Sequence, residues 1–397
     1  MRTASRLDHI EPFYVMECAK AAQVLAESAE CDPAHGGEAM LFLNIGEPDF
    51  TATRAVQEAA IACLQSGQTR YTQATGLSAL RERLAHWYDQ RFGVSIDPAR
   101  IVITAGASAA LQLACLALFE PGDEVLMADP SYPCNRHFVA AVGAQARLLP
   151  ASSAMRFQLD AAAVAAAWRP QTRGVLLASP GNPTGTSVAP AEMAALSELV
   201  QARGGVMLVD EIYLGLSYDT RFGQTALALG EHIISINSFS KYFGMTGWRL
   251  GWLVLPPALV APIERLAQNL YICPSTLAQR AALACFEDSS LQEYERRRLE
   301  FQRRRDFVVA ALQGMGLPVP VLPDGAFYAW FDCSGHQASS WEFCLQMTRK
   351  AHVALTPGRD FGPTLAERFV RLSFANSMDD LEAAMLRLTR ELPQLAA

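Results

Sequence analysis

Between about residues 100 and 255, short apolar runs rich in β-branched residues alternate with longer stretches of helical periodicity. Seven runs have strand length: IVIT (101–104), EVLMA (124–128), ARLLP (146–150), GVLLA (174–178), VMLVD (206–210), IISIN (233–237) and LGWLVL (250–255). They are continuous rather than alternating, which predicts strands covered on both faces. SAALQLACLALF (108–119) and APAEMAALSELVQARGG (189–205) have helical spacing, and the second ends in glycines where a C-cap is expected. Strands alternating with helices predict an α/β sheet. AAAVAAAW, after Asp160, predicts a short helix, because Asp is a good N-cap and Ala the best helix former.

Beyond Pro256 and Pro257 the pattern turns mostly helical, with 290–316 as the longest candidate. Its arginine clusters, 296–298 and 303–305, are interleaved with Glu293, Glu295 and Glu300, which predicts a solvated face laced with ion pairs rather than an anion-binding surface. Short strands return around 327–332 and 369–374, an α+β pattern that predicts a separate smaller domain. No internal repeat is visible.

With 397 residues the chain exceeds what one core usually organises, so two domains are expected. Apolar residues make up 51% and charged residues 18%, and no long uncharged apolar run predicts a membrane span. The first twenty residues lack the apolar core of a secretory signal. Nine scattered cysteines without a CxxC pair fit reduced thiols in a cytoplasm better than disulfides or a metal site. A net charge of −7 argues against nucleic acid as a partner.

Lysine occurs only at 20, 241 and 350, so chemistry that needs a primary amine has three candidates. Lys20 falls in an amphipathic helical pattern and Lys350 late in a helix, both ordinary surface positions. Lys241 instead follows the strand IISIN within SFSKYFGMTGWRLGW (238–252), at the strand end where α/β sheets bind ligands. Ser238, Ser240 and Arg249 nearby suit a phosphate monoester. The small residues Gly106, Ala107 and Ser108 of TAGASAALQLA (104–114) would bring helix N-terminal amides to an anion, although any tight strand-to-helix turn favours small residues. SPGNPTG (179–185) and DEIY (210–213) follow two further strands. Singly each reads as a turn or a cap; with the lysine they supply Asp210 for a pyridine nitrogen and Asn182 and Tyr213 for a phenolic oxygen.

These motifs, with LNIGEPDF (43–50), YTQATGLSALRE (71–82), DPSYPCNRHF (129–138), GAFYAWFD (325–332) and FVRLSF (369–374), resemble the class I/II aminotransferases of pyridoxal-phosphate fold type I over nearly the whole chain. The resemblance implies a large domain (46–285) with a mostly parallel seven-stranded sheet flanked by helices. It also implies a smaller α+β domain built from both termini (1–45 and 286–397). It implies pyridoxal 5'-phosphate as cofactor and a Schiff base on Lys241. Asp210 would meet the ring nitrogen, Tyr213 and Asn182 the phenolic oxygen, and Tyr132 would stack on the ring. Gly106, Ala107, Ser108, Ser238, Ser240 and Arg249 would surround the phosphate, with Tyr71 reaching it from the other subunit of a homodimer. Arg371 would bind the substrate carboxylate, with Gly46, Asn182 and Phe327 at the substrate pocket.

The implied reaction moves an amino group between an L-amino acid and a 2-oxo acid, with an aspartate- or glutamate-type donor as the family default. A carbon–sulfur β-lyase is the alternative on the same residues. A non-catalytic cofactor-binding regulator would be expected to carry a winged-helix segment ahead of residue 43. Three departures from the family pattern stand out: Ser179 replaces a frequent Asn, Arg359 a small residue, and no arginine clearly matches the one that reads a distal carboxylate. Arg136 and Arg359 are the candidates for that last role.

Overall fold

The computed structural model describes residues 2–12 and 14–394; Met1, Phe13 and residues 395–397, within the terminal segments assigned to the smaller domain, lie outside the described residues. β1 (Leu41–Phe42) is followed by the seven strands of the main sheet: β2 (Ile101–Thr104), β3 (Glu124–Asp129), β4 (Gln145–Pro150), β5 (Thr172–Ala178), β6 (Val206–Asp210), β7 (Ile233–Ser238) and β8 (Gly251–Val254). Their order is β2-β8-β7-β6-β5-β3-β4. β8 runs antiparallel to β2 and β7, and the remaining pairs are parallel.

Successive residues of one strand enter different cores. Val125, Met127, Leu176, Leu208, Ile234 and Leu253 pack on one face. Leu126, Val175, Leu177, Met207, Val209 and Trp252 pack on the other. A strand buried on both sides can afford no polar alternation, hence the continuous runs. β4 departs from that expectation: as an edge strand it pairs only with β3 and is mostly half-buried or exposed, and Arg147 reaches out to Glu124 at 3.6 Å.

The smaller α+β part contains β9 (Tyr328–Asp332), β10 (Val353–Ala354), β11 (Thr356–Pro357) and β12 (Phe369–Ser373). β12 lies between β11 and β9, antiparallel to both, while β1 pairs in parallel with β10, so both termini build this part. The long helix spans Asp288–Gly314. Arg296, Arg297, Arg298 and Arg303 pair along it with Glu293, Glu295 and Glu300, as expected. Arg304 and Arg305 do not stay on a solvated face. Both are buried, Arg304 forming a fork with Asp49 at 2.9 Å on each arm and Arg305 donating to Pro323 O at 2.9 Å. The short helix Ala161–Ala167 is capped by Asp160, whose carboxylate accepts from Ala163 N at 2.6 Å.

One aromatic cluster joins β8 to the residue that follows β7. Trp252 on β8 is fully buried, with ring centroids of Phe239 and Trp87 at 4.9 and 6.2 Å, and its Nε1 donates to Tyr88 Oη at 3.1 Å. Trp252→Ala is expected to cost about 3–5 kcal/mol of stability, read from denaturant unfolding. A loss under about 1 kcal/mol would mean that the cluster does not anchor β8.

Candidate active site

The carboxyl ends of β5, β6 and β7 and the helix Gly106–Leu118 open on a cavity of about 870 Å³. Gly46, Ala107, Ser108, Tyr132, Asn182, Asp210, Tyr213, Ser238, Ser240, Lys241, Arg249 and Arg371 line it, together with residues that sequence reasoning did not name.

Lys241 leaves the end of β7 and donates from Nζ to Gly46 O at 2.6 Å. Position 46 must be glycine, because a Cβ there would fall 1.9 Å from Tyr328 Oη. Burial lowers the Lys241 pKa to about 8; the carboxylate of Glu47 opposes the shift, and the guanidinium groups of Arg371 and Arg249 add to it. Asp210 ends β6, buried, and burial raises its pKa to about 6. Two donors counter that rise, the Ile212 N–H at 3.2 Å and the Asn135 side chain. Asn135 was not singled out in the sequence. It is the third residue of the helix Pro133–Ala141, three residues after Tyr132, and only the folded chain brings it to Asp210.

Tyr213 Oη and Tyr328 Oη are 2.8 Å apart. Tyr328 lines the cavity; the expected Phe327 does not, although its ring lies 5.6 Å from Lys241 Nζ. Neighbouring side chains at the start of a strand point to opposite faces, and Phe327 turns into the core between Tyr213 and Phe301, with centroids at 5.4 and 5.5 Å.

At one end of the cavity Ser240 N donates to Ser238 Oγ at 3.0 Å and the two hydroxyls lie 2.9 Å apart. Arg249 is pinned to Thr246 O at 3.1 Å. Gly106 does not line the cavity, but its φ of +81° and a Cβ position only 2.9 Å from Arg249 Nη2 show why it has no side chain: the guanidinium lies against the start of the helix Gly106–Leu118. Hydroxyls, guanidinium and helix N-terminal amides thus converge as donors for one dianion.

At the other end is Arg371 on β12, 2% exposed. It donates to Asn182 Oδ1 at 2.9 Å, Asn44 O at 2.6 Å and Thr356 Oγ1 at 3.3 Å, with its guanidinium 4.5 Å over the Tyr328 ring. Its Nε has no protein partner, and among the described residues no carboxylate pairs with it. A buried cation without an anion is costly, so this end is built to receive a carboxylate. The two anion sites, with an amine and a buried carboxyl between them, fit a phosphorylated pyridine aldehyde and an amino acid.

Tyr71 lies elsewhere, 81% exposed in a separate groove with Arg70 and Arg280. Arg136 donates to Asp360 O at 3.3 Å and pairs with Glu11 at 3.3 Å; Arg359 lies 4.5 Å over the Trp341 ring and 3.6 Å from Glu367. Neither lines the cavity.

The sequence family described as Aminotransferase class I and II matches residues 38–388. The chain is 37% identical over 386 residues to a valine–pyruvate aminotransferase of Mycobacterium tuberculosis, covering 97% of each chain. It is 35% identical to an arginine–pyruvate transaminase of Pseudomonas aeruginosa, covering 89% of this chain and 90% of that one. Among solved structures, an aspartate aminotransferase from Thermus thermophilus with maleate superposes with a TM-score of 0.90 at 30% identity, covering 98% of this chain and 100% of that one.

Below about pH 8 the Lys241 side chain of the cofactor-free protein is an ammonium ion, and above it a free nucleophile. Its labelling by an amine-reactive reagent, followed by mass spectrometry, should therefore rise with pH to half-maximum near 8. A midpoint two units higher would contradict the described environment.

Proposed function

The chain belongs to the class I and II aminotransferases, and on that footing we propose that it moves an amino group between an L-amino acid with a neutral, apolar side chain and a 2-oxo acid, using pyridoxal 5'-phosphate bound in the cavity. The observation that carries the reading is the buried Arg371 without a carboxylate partner, facing the same space as Lys241. When bound, the cofactor supplies an electron-withdrawing ring that stabilises negative charge on the substrate Cα.

Lys241 holds the cofactor and, as a free amine, carries the proton to and from Cα; its lowered pKa suits it to that exchange near neutral pH. Asp210 keeps a proton on the ring nitrogen, because an adjacent anion favours the charged form. Tyr213 and Asn182 address the phenolic oxygen, and Asn182, its Oδ1 already accepting from Arg371, links the two halves of the site. Tyr132 stacks on the ring. Ser238, Ser240, Arg249 and the start of the helix Gly106–Leu118 hold the phosphate. Arg371 grips the α-carboxylate and so fixes the Cα–H bond against the ring.

For the donor side chain, the support is the wall made by Val15, Met16, Ala19, Ile45 and Phe138. Arg249 is engaged with the phosphate end, Arg136 and Arg359 lie outside the cavity, and Glu47 on its lining would repel a second carboxylate. The likeness to a valine–pyruvate enzyme agrees. The second reading, an aspartate- or glutamate-type donor, is favoured by the likeness to the Thermus enzyme. The nine cysteines are all free thiols, which supports a cytoplasmic location.

A panel of donors against pyruvate and 2-oxoglutarate tests the reading. Valine, leucine or alanine should exceed aspartate in kcat/KM by at least about tenfold, about 1.4 kcal/mol. The reverse order would restore the acidic donor, and ammonia release without an acceptor would favour a lyase. Arg371→Leu removes a charge-assisted pair worth about 1.5–3 kcal/mol, so kcat/KM should fall roughly 10- to 150-fold while the cofactor absorbance persists.

Assembly into a homodimer is supported by the exposed Tyr71, which would reach the phosphate of a second copy. Co-expressed Lys241→Ala and Tyr71→Phe chains should then form mixed dimers with one undamaged site. Activity above that of either parent dimer is the expected outcome; activity at their average, with mixed dimers present, would confine Tyr71 to its own chain.

A further inference from the structure

Behind the main cavity, between the ends of β3 and β5 and the turn that follows β5, lies a second and much smaller cavity of about 20 Å³. Its lining includes Ser131, Asn135, Gln158, Ala178 and Asn182. One water needs about 10–15 Å³ of such space and at least two polar partners. Ser131 Oγ and Asn135 Oδ1 are both buried, and neither has a protein partner among the described residues. The other two side-chain amides on the wall are engaged: Gln158 Nε2 donates to Ala178 O at 3.1 Å and Thr186 O at 2.6 Å, and Asn182 Oδ1 accepts from Arg371 at 2.9 Å.

The two orphaned atoms belong to the residue that touches Asp210 and to its neighbour four positions earlier. An asparagine side chain has two ends of nearly equal shape, one a donor and one an acceptor. With Nδ2 toward Asp210 it donates to the carboxylate; turned over, it would set Oδ1 against another acceptor. Something must hold it the first way round. A group that donates to Oδ1 from the far side does so, and the Ser131 hydroxyl, with no protein partner of its own, is placed to hold that group.

We propose that a single water occupies the small cavity and bridges Ser131 Oγ and Asn135 Oδ1. It fixes the Asn135 amide with its N–H toward Asp210. Asn135 and Ser131 are thereby positioning residues for the carboxylate that faces the ring nitrogen. The water donates to Oδ1 and shares a hydrogen bond with the serine hydroxyl, so each buried polar atom is satisfied. Asp210 then has fixed donors from Ile212 N and Asn135, and its remaining lone pairs are directed to the ring. This inference rests on the assignment of Asp210 to the ring nitrogen.

A high-resolution crystal structure of the holoenzyme should show one ordered water within hydrogen-bonding distance of both atoms; a dry cavity overturns the proposal. Holoenzyme carrying cofactor isotopically labelled at the ring nitrogen supplies the functional readout, because the NMR shift of that nitrogen reports its protonation. Asn135→Ala should move the shift toward neutral pyridine, and Ser131→Ala should move it the same way by a smaller amount. Ser131→Thr, which keeps the hydroxyl, should restore it. Wild-type shifts in both alanine variants overturn the positioning role. Ser131→Ala deletes one oxygen, and a thermal melt shows that it folds. If wild-type protein fails to take up the cofactor, the functional reading fails instead, and the water site is still judged from crystals of the cofactor-free chain.

Discussion

Arg371 carries its charge into the protein without a carboxylate to neutralise it, and much of the site is arranged around that fact. Withdrawing a guanidinium from water costs several kcal/mol, which neutral acceptors recover only in part. Those acceptors come from three distant segments: Asn44 O, Thr356 Oγ1 and Asn182 Oδ1. Holding them in register takes the antiparallel pairing of β12 with β11 and β9, and the pairing of β1 with β10 just ahead of Asn44. The same short segment serves the second cation, since Gly46 O accepts from Lys241. One short stretch of chain, 44–46, therefore holds both Arg371 and Lys241.

The ionisable groups between them are tuned by burial more than by pairing. Burial lowers the Lys241 pKa and raises that of Asp210, moving each toward its neutral form. A direct Lys241–Asp210 ion pair would hold the amine protonated, and none is formed among the described residues. Lys241 sits instead on a carbonyl, and Asp210 on neutral donors. Among the described residues, then, neither group forms an ion pair. Lys241 and Asp210 stand at the ends of adjacent strands, β7 and β6, with different neighbours.

The strands of the main sheet were legible because burial on both faces leaves an unbroken apolar run. Their order was not, since a run does not say which other run lies beside it. β4 shows the limit: ARLLP has the apolar residues of a central strand and lies at an edge, where Arg147 can reach out. Most cavity residues were legible because a rare lysine, small-residue turns and strand-end carboxylates coincide in motifs. Tyr328 was missed beside Phe327, whose ring lies 5.6 Å from Lys241 Nζ, because composition does not say which face each of two adjacent residues presents. Asn135, and Arg304 and Arg305 on the long helix, carry no local signal. Their roles depend on partners such as Asp210, Asp49 and Pro323, far away along the chain.

Part of the apolar wall of the cavity is held from the same frame as Arg371. Val15, Met16 and Ala19 belong to the N-terminal helix Tyr14–Ala26, whose first turn has backbone N–H groups with no partner inside the helix. One of them, Val15 N, donates to Asp360 Oδ2 at 3.2 Å, and a carboxylate at a helix N-terminus also complements its dipole. Asp360 ends the turn Gly358–Asp360, immediately after β11, and its carbonyl accepts from Arg136, which in turn pairs with Glu11 just before the helix. β11 is hydrogen-bonded to β12, the strand of Arg371. The helical part of the wall and the guanidinium are thus tied to one small sheet, while Phe138 stands on the helix Pro133–Ala141. On the proposed reading, a donor held at Arg371 would meet this wall at a distance set by the pairing of β11 with β12.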